Sequence, residues 1–235
     1  TRTFYDDYSW VSTYGYLISG TRNTTDDSHL LTASDNWPFP RAEVQSPQTM
    51  GLVTGIWSNI LTTSYGLGTV NIYDDKERVI QRQSNNILGN LDVLSTQYNF
   101  SGLPLIEIDR IGAPPGQLII TKKEYDFAGR LKRVWKNIDQ AGSDQLIDSL
   151  SYNELGQLQH KYLGNHIDSL AYDYNIRGWL TSINKSFLAG TPGNYFGMEL
   201  GYDKSTSVTG TTTFSVPQYS PNNQQIHATI FLEQH

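Results

Sequence analysis

Tyr125-Asp126-Phe127-Ala128-Gly129-Arg130-Leu131 is the stretch that decides how this chain is read. A tyrosine opens it, a short acidic side chain follows, glycine stands four places after the tyrosine, and an apolar residue stands at the sixth place. The frame recurs as Tyr152-Asn153-Glu154-Leu155-Gly156-Gln157-Leu158 and as Tyr174-Asn175-Ile176-Arg177-Gly178-Trp179-Leu180. Upstream it appears as Tyr98-Asn99-Phe100-Ser101-Gly102-Leu103-Pro104, with Pro104 in the apolar place. It also appears as Tyr73-Asp74-Asp75-Lys76-Glu77-Arg78-Val79, with Glu77 in the glycine place. The five tyrosines lie 25, 27, 27 and 22 residues apart, a spacing that signals tandem supersecondary units. A second echo supports duplication: Ile147-Asp148-Ser149-Leu150-Ser151-Tyr152 recurs as Ile167-Asp168-Ser169-Leu170-Ala171-Tyr172. The turn glycine then follows two residues later in the second copy than in the first, a difference that keeps the strand pleat in phase.

Each part of the frame has a physical reason. Asp or Asn after the tyrosine suits the first position of a type I turn, where its side-chain oxygen accepts a nearby backbone N–H. Glycine three residues later suits the left-handed position of a three-residue hairpin loop with a bulge. The count then sets Asp126 opposite Arg130 and pairs Tyr125 with Leu131, Tyr152 with Leu158 and Tyr174 with Leu180. A cross-strand Tyr–Leu pair contributes roughly 0.2–1 kcal/mol. The flanks are strand-like: 105–111 and 118–125 surround the breaker cluster Gly112-Ala113-Pro114-Pro115-Gly116, and 158–163 and 167–174 surround Gly164-Asn165-His166. These features predict an all-β protein of tandem β-hairpins forming a curved sheet. The best helical candidate is 86–96, weakened by Gly89-Asn90. Three regions are expected: an irregular, β-rich 1–70, a repeat array over 71–204, and a polar tail or truncated edge over 205–235. Within the first, Tyr5-Asp6-Asp7-Tyr8-Ser9-Trp10 reads as a degenerate copy of the frame and 19–34 as an exposed loop. Trp37-Pro38-Phe39-Pro40 cannot run inside a sheet.

At these residues the sequence resembles the YD-repeat (RHS-repeat) proteins, in particular the large cell-surface or secreted forms of the Bacteroidetes lineage. The stretches that carry the resemblance are 73–81, 125–131, 152–161 and, most specifically, 174–184, followed by Phe196-Gly197-Met198-Glu199-Leu200. It covers roughly 3–204 and is strong over 71–203. The resemblance implies a sheet that spirals into a hollow shell, a β-cocoon, with repeats as successive hairpins. It further implies a shell that encloses a C-terminal toxin domain, as in polymorphic toxins, or that serves in surface adhesion with carbohydrate contacts. Two departures count. About five copies make only a segment of wall, and the self-cleaving core-end motif around Asp-Pro-x-Gly is missing, since no Asp-Pro dipeptide occurs.

Composition narrows the function classes. Net charge is −6 with pI near 5.3, which disfavours a phosphate-backbone binder because such a surface needs clustered Lys and Arg; no nucleic-acid partner is expected. The 15 tyrosines and other aromatics, 12% of residues, argue against disorder. Without cysteine there is no disulfide framework or thiolate chemistry. No apolar run reaches the roughly 18 residues of a membrane span. The chain opens without a signal pattern or an initiator Met, and we read it as a piece of something longer, at the cell surface or outside the cell.

Candidate chemistry is sparse. Asp74, Asp126, Asp173 and Asp203 suggest acid–base pairs or calcium ligands, but Asn stands in the same turn place at 99, 153 and 175, and an amide cannot act as a general base. Asp6-Asp7 and Asp74-Asp75 lack the ligand spacing of a calcium loop. His160, His166 and Asp168 lie close in sequence, and opposing strands can bring His160 toward Asp168, yet His160 is also the residue expected opposite Leu150. No recognised metal spacing is present, and no metal or cofactor is expected. His29, His227 and His235 carry no pattern. Trp10, Trp37, Trp57, Trp135 and Trp179 either fill the sheet face or, if exposed, stack on sugars. Trp179, beside a turn glycine and pointing opposite to Leu180, is the best candidate for an exposed glycan contact. The sequence thus points to a non-enzymatic structural segment whose partners are neighbouring repeats of a longer chain and an enclosed domain. A carbohydrate-binding adhesin module is the alternative, and a hydrolase the remotest. Open strand edges predict self-association of the fragment.

Overall fold

The computed structural model describes residues 1–61, 66–112, 116–165 and 167–202, and the backbone of 227–232. Asp203, His166, His235 and most of the 205–235 tail lie outside the described residues. The chain divides into two compact units, Thr1–Gln145 and Leu146–His235, and that boundary falls inside the repeat array.

The first unit is an antiparallel meander. Its strands are β1 (Arg2–Tyr5), β2 (Val53–Asn59), β3 (Gly66–Tyr73), β4 (Val79–Asn85), β5 (Leu91–Tyr98), β6 (Pro104–Ile111), β7 (Gln117–Tyr125) and β8 (Leu131–Ile138), each paired with the next in sequence. From β3 to β8 sequential pairing is what short hairpin loops enforce, because a five-residue connection returns the chain beside the strand it left, whereas β1 reaches β2 across the long segment 6–52. In the second unit β9 (Gln145–Tyr152), β10 (Leu158–Leu163), β11 (Asp168–Tyr174), β12 (Leu180–Ile183), β13 (Phe196–Gly201) and β14 (His227–Leu232) pair in the same order. Among the described residues helix is confined to single turns, α1 (Val11–Tyr14) and α2 (Lys185–Leu188), with a short 3-10 turn at Asp27–His29.

Two apolar clusters form the core of the first unit. Val70, Ile72 and Ile80 pack with Trp10 and Ile18, and Ile106, Ile108, Leu118 and Ile120 pack with Leu30 and Leu31. In both, the sheet meets residues from the segment between β1 and β2, so this long segment serves as the second layer that a one-faced sheet needs. Trp10 lies flat on the sheet at Gly55, where an added Cβ would collide with its ring, and it stacks on Phe4 at 4.3 Å between centroids.

Several sequence expectations are corrected here. Residues 86–96 are not helical: a turn at 86–90 leads into β5, because Asn86 and Gly89 supply a turn and the alternation Val93, Ser95, Gln97 faces the buried side. The 5–10 stretch is not a hairpin copy, since β1 pairs with β2 some fifty residues on and Asp6 donates its N–H to Leu52. Residues 19–34 are not a free loop but lie against the sheet. His160 sits opposite Ser151 and Ala171 rather than Leu150 or Asp168; a bulge after Leu158 moves the register, placing Lys161 opposite Leu150 and Leu163 opposite Asp168.

Candidate functional surface: the tyrosine turns and Trp179

The turn at Asp126 shows how the frame is used. Its N–H donates to the Arg130 carbonyl at 2.9 Å, and the Gly129 N–H returns to the Asp126 carbonyl at 2.9 Å. The Asp126 Oδ1 accepts the N–H groups of Ala128 and Arg130, both at 2.9 Å, while Oδ2 accepts the Arg130 Nε at 2.7 Å. Gly129 has φ of 77°, which a side chain would resist. The same two side-chain bonds recur with an amide oxygen: Asn153 accepts from Leu155 and Gln157, and Asn175 from Arg177 and Trp179. Gly156 and Gly178 have φ of 79° and 78°. In the first copy Glu77 adopts φ of 60° in the glycine place, and Asp74 Oδ1 accepts from Lys76 and Arg78. The opening tyrosines pair across the hairpin with the apolar place: Tyr125 with Leu131, Tyr152 with Leu158, Tyr174 with Leu180, Tyr73 with Val79 and Tyr98 with Pro104.

A sixth turn of this kind escaped the tyrosine frame. Asn86 accepts the N–H groups of Leu88 and Asn90, and Gly89 has φ of 75°. Asn85 stands where the other copies have tyrosine. The signal was present in Asn86 and Gly89 and was masked by the missing ring.

The tyrosine hydroxyls explain why the frame begins with Tyr rather than Phe. Tyr98 Oη donates to the Val79 carbonyl at 3.1 Å, Tyr125 Oη to the Pro104 carbonyl at 3.0 Å, and Tyr174 Oη to the Leu158 carbonyl at 2.9 Å. Each acceptor is the apolar-place residue of the preceding copy, so the hydroxyl fastens one hairpin to its predecessor. Tyr73 likewise donates to Val53 at 2.7 Å. Burial holds the phenols of Tyr73, Tyr98, Tyr125 and Tyr174 above their ordinary value. Arg78 adds a further tie, pairing with Asp74 while its guanidinium lies 4.7 Å over the Tyr98 ring.

The carboxylates are therefore occupied. Burial by itself would raise Asp74 and Asp126, but the Arg78 and Arg130 side chains and the turn N–H groups outweigh it and hold both below the usual carboxylate range. Asp173 lies in β11 and accepts the Ser182 hydroxyl at 2.8 Å; the turn place of that copy belongs to Asn175. Among the described residues no group of three or more Asp, Glu or His side chains converges as a metal site.

The exposure expected of Trp179 is only partial. The ring is half-buried, 5.2 Å from the Tyr202 ring, with the Arg177 guanidinium 5.2 Å from its centroid. Fully exposed large residues include four at turn tips: Phe100 and Phe127 in the first unit, Leu155 and Ile176 in the second. Asn184, at the end of the most family-like stretch, is fully buried with φ of 51°. Its side chain accepts the Ala171 N–H at 2.8 Å and donates to the Phe196 carbonyl at 2.7 Å, joining β11 to the start of β13.

No protein-family model matches the chain, and no curated protein sequence does. Among solved structures the chain is similar to a crystal structure of TcdB2-TccC3 without its hypervariable C-terminal region. That likeness has TM-score 0.49 and 17% identity, over 66% of this chain and 8% of that one. It is also similar to TcdB2-TccC3-TEV, with TM-score 0.48 and 16% identity over the same shares. The chain thus spans about a twelfth of the length of the two chains it is similar to.

Proposed function

We propose that this chain is a non-catalytic wall segment of a YD-repeat shell, at the cell surface or secreted, which encloses or displays another domain of the same protein. The observation that carries this reading is the use to which the repeated polar groups are put. Turn carboxylates and amides are spent on turn N–H groups, and the hydroxyls of Tyr98, Tyr125 and Tyr174 on the preceding hairpin, so that the repeated polar groups go into building sheet. The YD-repeat resemblance over 71–203 supports the rest. The test is limited proteolysis of the natural full-length protein. A neighbouring domain that survives protease while attached, and is degraded when expressed apart, is the expected result. Equal susceptibility in both forms would remove the enclosure reading.

The second reading, a carbohydrate-binding adhesin module, is favoured by one arrangement, Trp179 edged by Tyr202 and Arg177. On that reading Trp179→Ala abolishes glycan-array binding without changing the circular dichroism spectrum. Unchanged binding by the folded variant dismisses it.

A further inference from the structure

The buried face of β4 and β5 carries amides where an ordinary core carries aliphatics. Gln81, Gln83 and Gln97 are 1%, 1% and 4% exposed. Glutamine is seldom buried so completely, and a buried amide must find partners for both its oxygen and its nitrogen. All three find them on the backbone of one irregular segment. Gln83 Oε1 accepts the Ser19 N–H at 2.9 Å and Nε2 donates to the Thr21 carbonyl at 2.8 Å. Gln81 takes the Asn23 N–H and carbonyl, both at 2.7 Å. Gln97 takes the Leu31 N–H at 2.8 Å and carbonyl at 3.2 Å, and also the Arg41 carbonyl at 2.9 Å. On the other side of the run, Gln45 accepts from Arg22 and donates to Gly20.

Residues 19–23 therefore run along the sheet, through a bend at Gly20–Thr21, on a ladder made of side chains: odd residues bond to Gln83 and Gln81, even residues to Gln45. A carboxamide offers the same donor and acceptor as a peptide group, so it recognises backbone without regard to sequence. Sequence-dependent holding comes from Ile18 and Leu30–Leu31 in the two apolar clusters, Asp26 on Arg110, Trp37 on the Lys123 carbonyl and the Trp135 ring, and Arg41 on Asp75. Strained residues stand just before the segment and within it. Leu17 has φ of 70° and Phe39 of 56°, and both side chains are exposed, 45% and 77%. Left-handed backbone at bulky residues persists only where the surroundings impose it, and it relaxes when they let go.

We infer that Gln81, Gln83 and Gln97 form a receptor for irregular polypeptide backbone, and that residues 18–46 fill it as a removable strap. A separate peptide takes the same places once the strap is off. The fitting partner has a bulky aliphatic residue at the place of Ile18, a second about a dozen residues on, and any sequence between that keeps its backbone N–H groups.

The test uses the whole chain and a fluorescein-labelled peptide of residues 16–33. Arg110→Ala removes the peg on Asp26 and is expected to bind the peptide at least tenfold more tightly than the unaltered protein. A peptide N-methylated at Asn23 and Leu31 is expected to lose that binding, because the amide oxygens of Gln81 and Gln97 then meet no donor. Dimers of the variant that free peptide dissociates also support the receptor, occupied by the strap of a second copy. Equal binding of the N-methylated peptide, or none by folded Arg110→Ala, overturns it. If that variant does not fold, amide exchange in the unaltered protein decides. Ser19, Asn23 and Leu31 should exchange together and at least tenfold faster than the β4–β5 ladder, and exchange at the ladder rate overturns the inference.

Discussion

Tyr98, Tyr125 and Tyr174 each do two jobs, ring against its own hairpin and hydroxyl against the one before. Removing only the hydroxyl isolates the second. Tyr125→Phe leaves the Pro104 carbonyl without its donor in a half-buried place, and should cost about 1 kcal/mol in urea unfolding, the ordinary net value of such a bond. The turn carboxylate can be dissected similarly. Asp126→Asn keeps the oxygen that accepts from Ala128 and Arg130 and loses the ion pair, so it should cost under about 1 kcal/mol, while Asp126→Ala, which loses both, should cost about 1–2 kcal/mol. Because Asp126 titrates below its unfolded value near 3.9, its stabilisation is present above that pH and fades as pH falls through the folded value. Asp126→Asn should flatten the acid limb of the stability curve, and an unchanged acid limb would contradict the assignment. The glycine place offers a reciprocal pair. Glu77→Gly relieves a left-handed glutamate and should be neutral or stabilising by up to about 1 kcal/mol, whereas Gly129→Val should cost about 1–2 kcal/mol or more.

At the scale of elements, hairpins and strap obey different rules. A hairpin is closed by residues four apart, so its geometry is written in a seven-residue window. That is why the turns at 126, 153 and 175 could be read from Asp or Asn and Gly alone. The strap is closed by partners 56 to 66 residues away, and its polar, Asp-rich sequence reads as solvent-exposed loop. The register of β10 failed for a related reason: the bulge after Leu158 depends on how two strands meet, and no local residue announces it. Within the strap, Glu43 is pushed up to about 8, chiefly by burial; Arg22 and Arg78 lower it and Asp74 and Asp27 raise it further. Its Oε2 has no hydrogen-bond partner among the described residues. The folded chain therefore holds a proton that the unfolded chain releases near pH 4.5, and stability falls as pH rises from there to about 8. Glu43→Gln should raise the melting temperature at pH 9 more than at pH 5, by the equivalent of roughly 1–3 kcal/mol. Equal shifts at the two pH values would show that the carboxyl is already ionised in the fold.

Across the whole molecule, the two units differ in how well they bury apolar surface. The first has fully buried aliphatics under a second layer of chain, while every side chain of β9, β10 and β11 stays half-buried or exposed. Cooperative opening follows buried contacts, so amide protection in β9–β11 should be lost at lower urea than in β3–β7. Trp179, alone among the five tryptophans in lying beyond residue 145, gives an optical report of the same event. Simultaneous loss in both would mean a single cooperative body. Sequence was enough for the β class, the hairpin period, the turn chemistry and the tyrosine pairing, because backbone conformation at Gly, Asp and Asn is settled by neighbours a few bonds away. It was silent on the hydroxyl ties between copies, the half-burial of Trp179 and the amide-lined face with its strap. Those depend on which distant groups share a buried space, and a glutamine is read as core or as surface only once something has been laid over it.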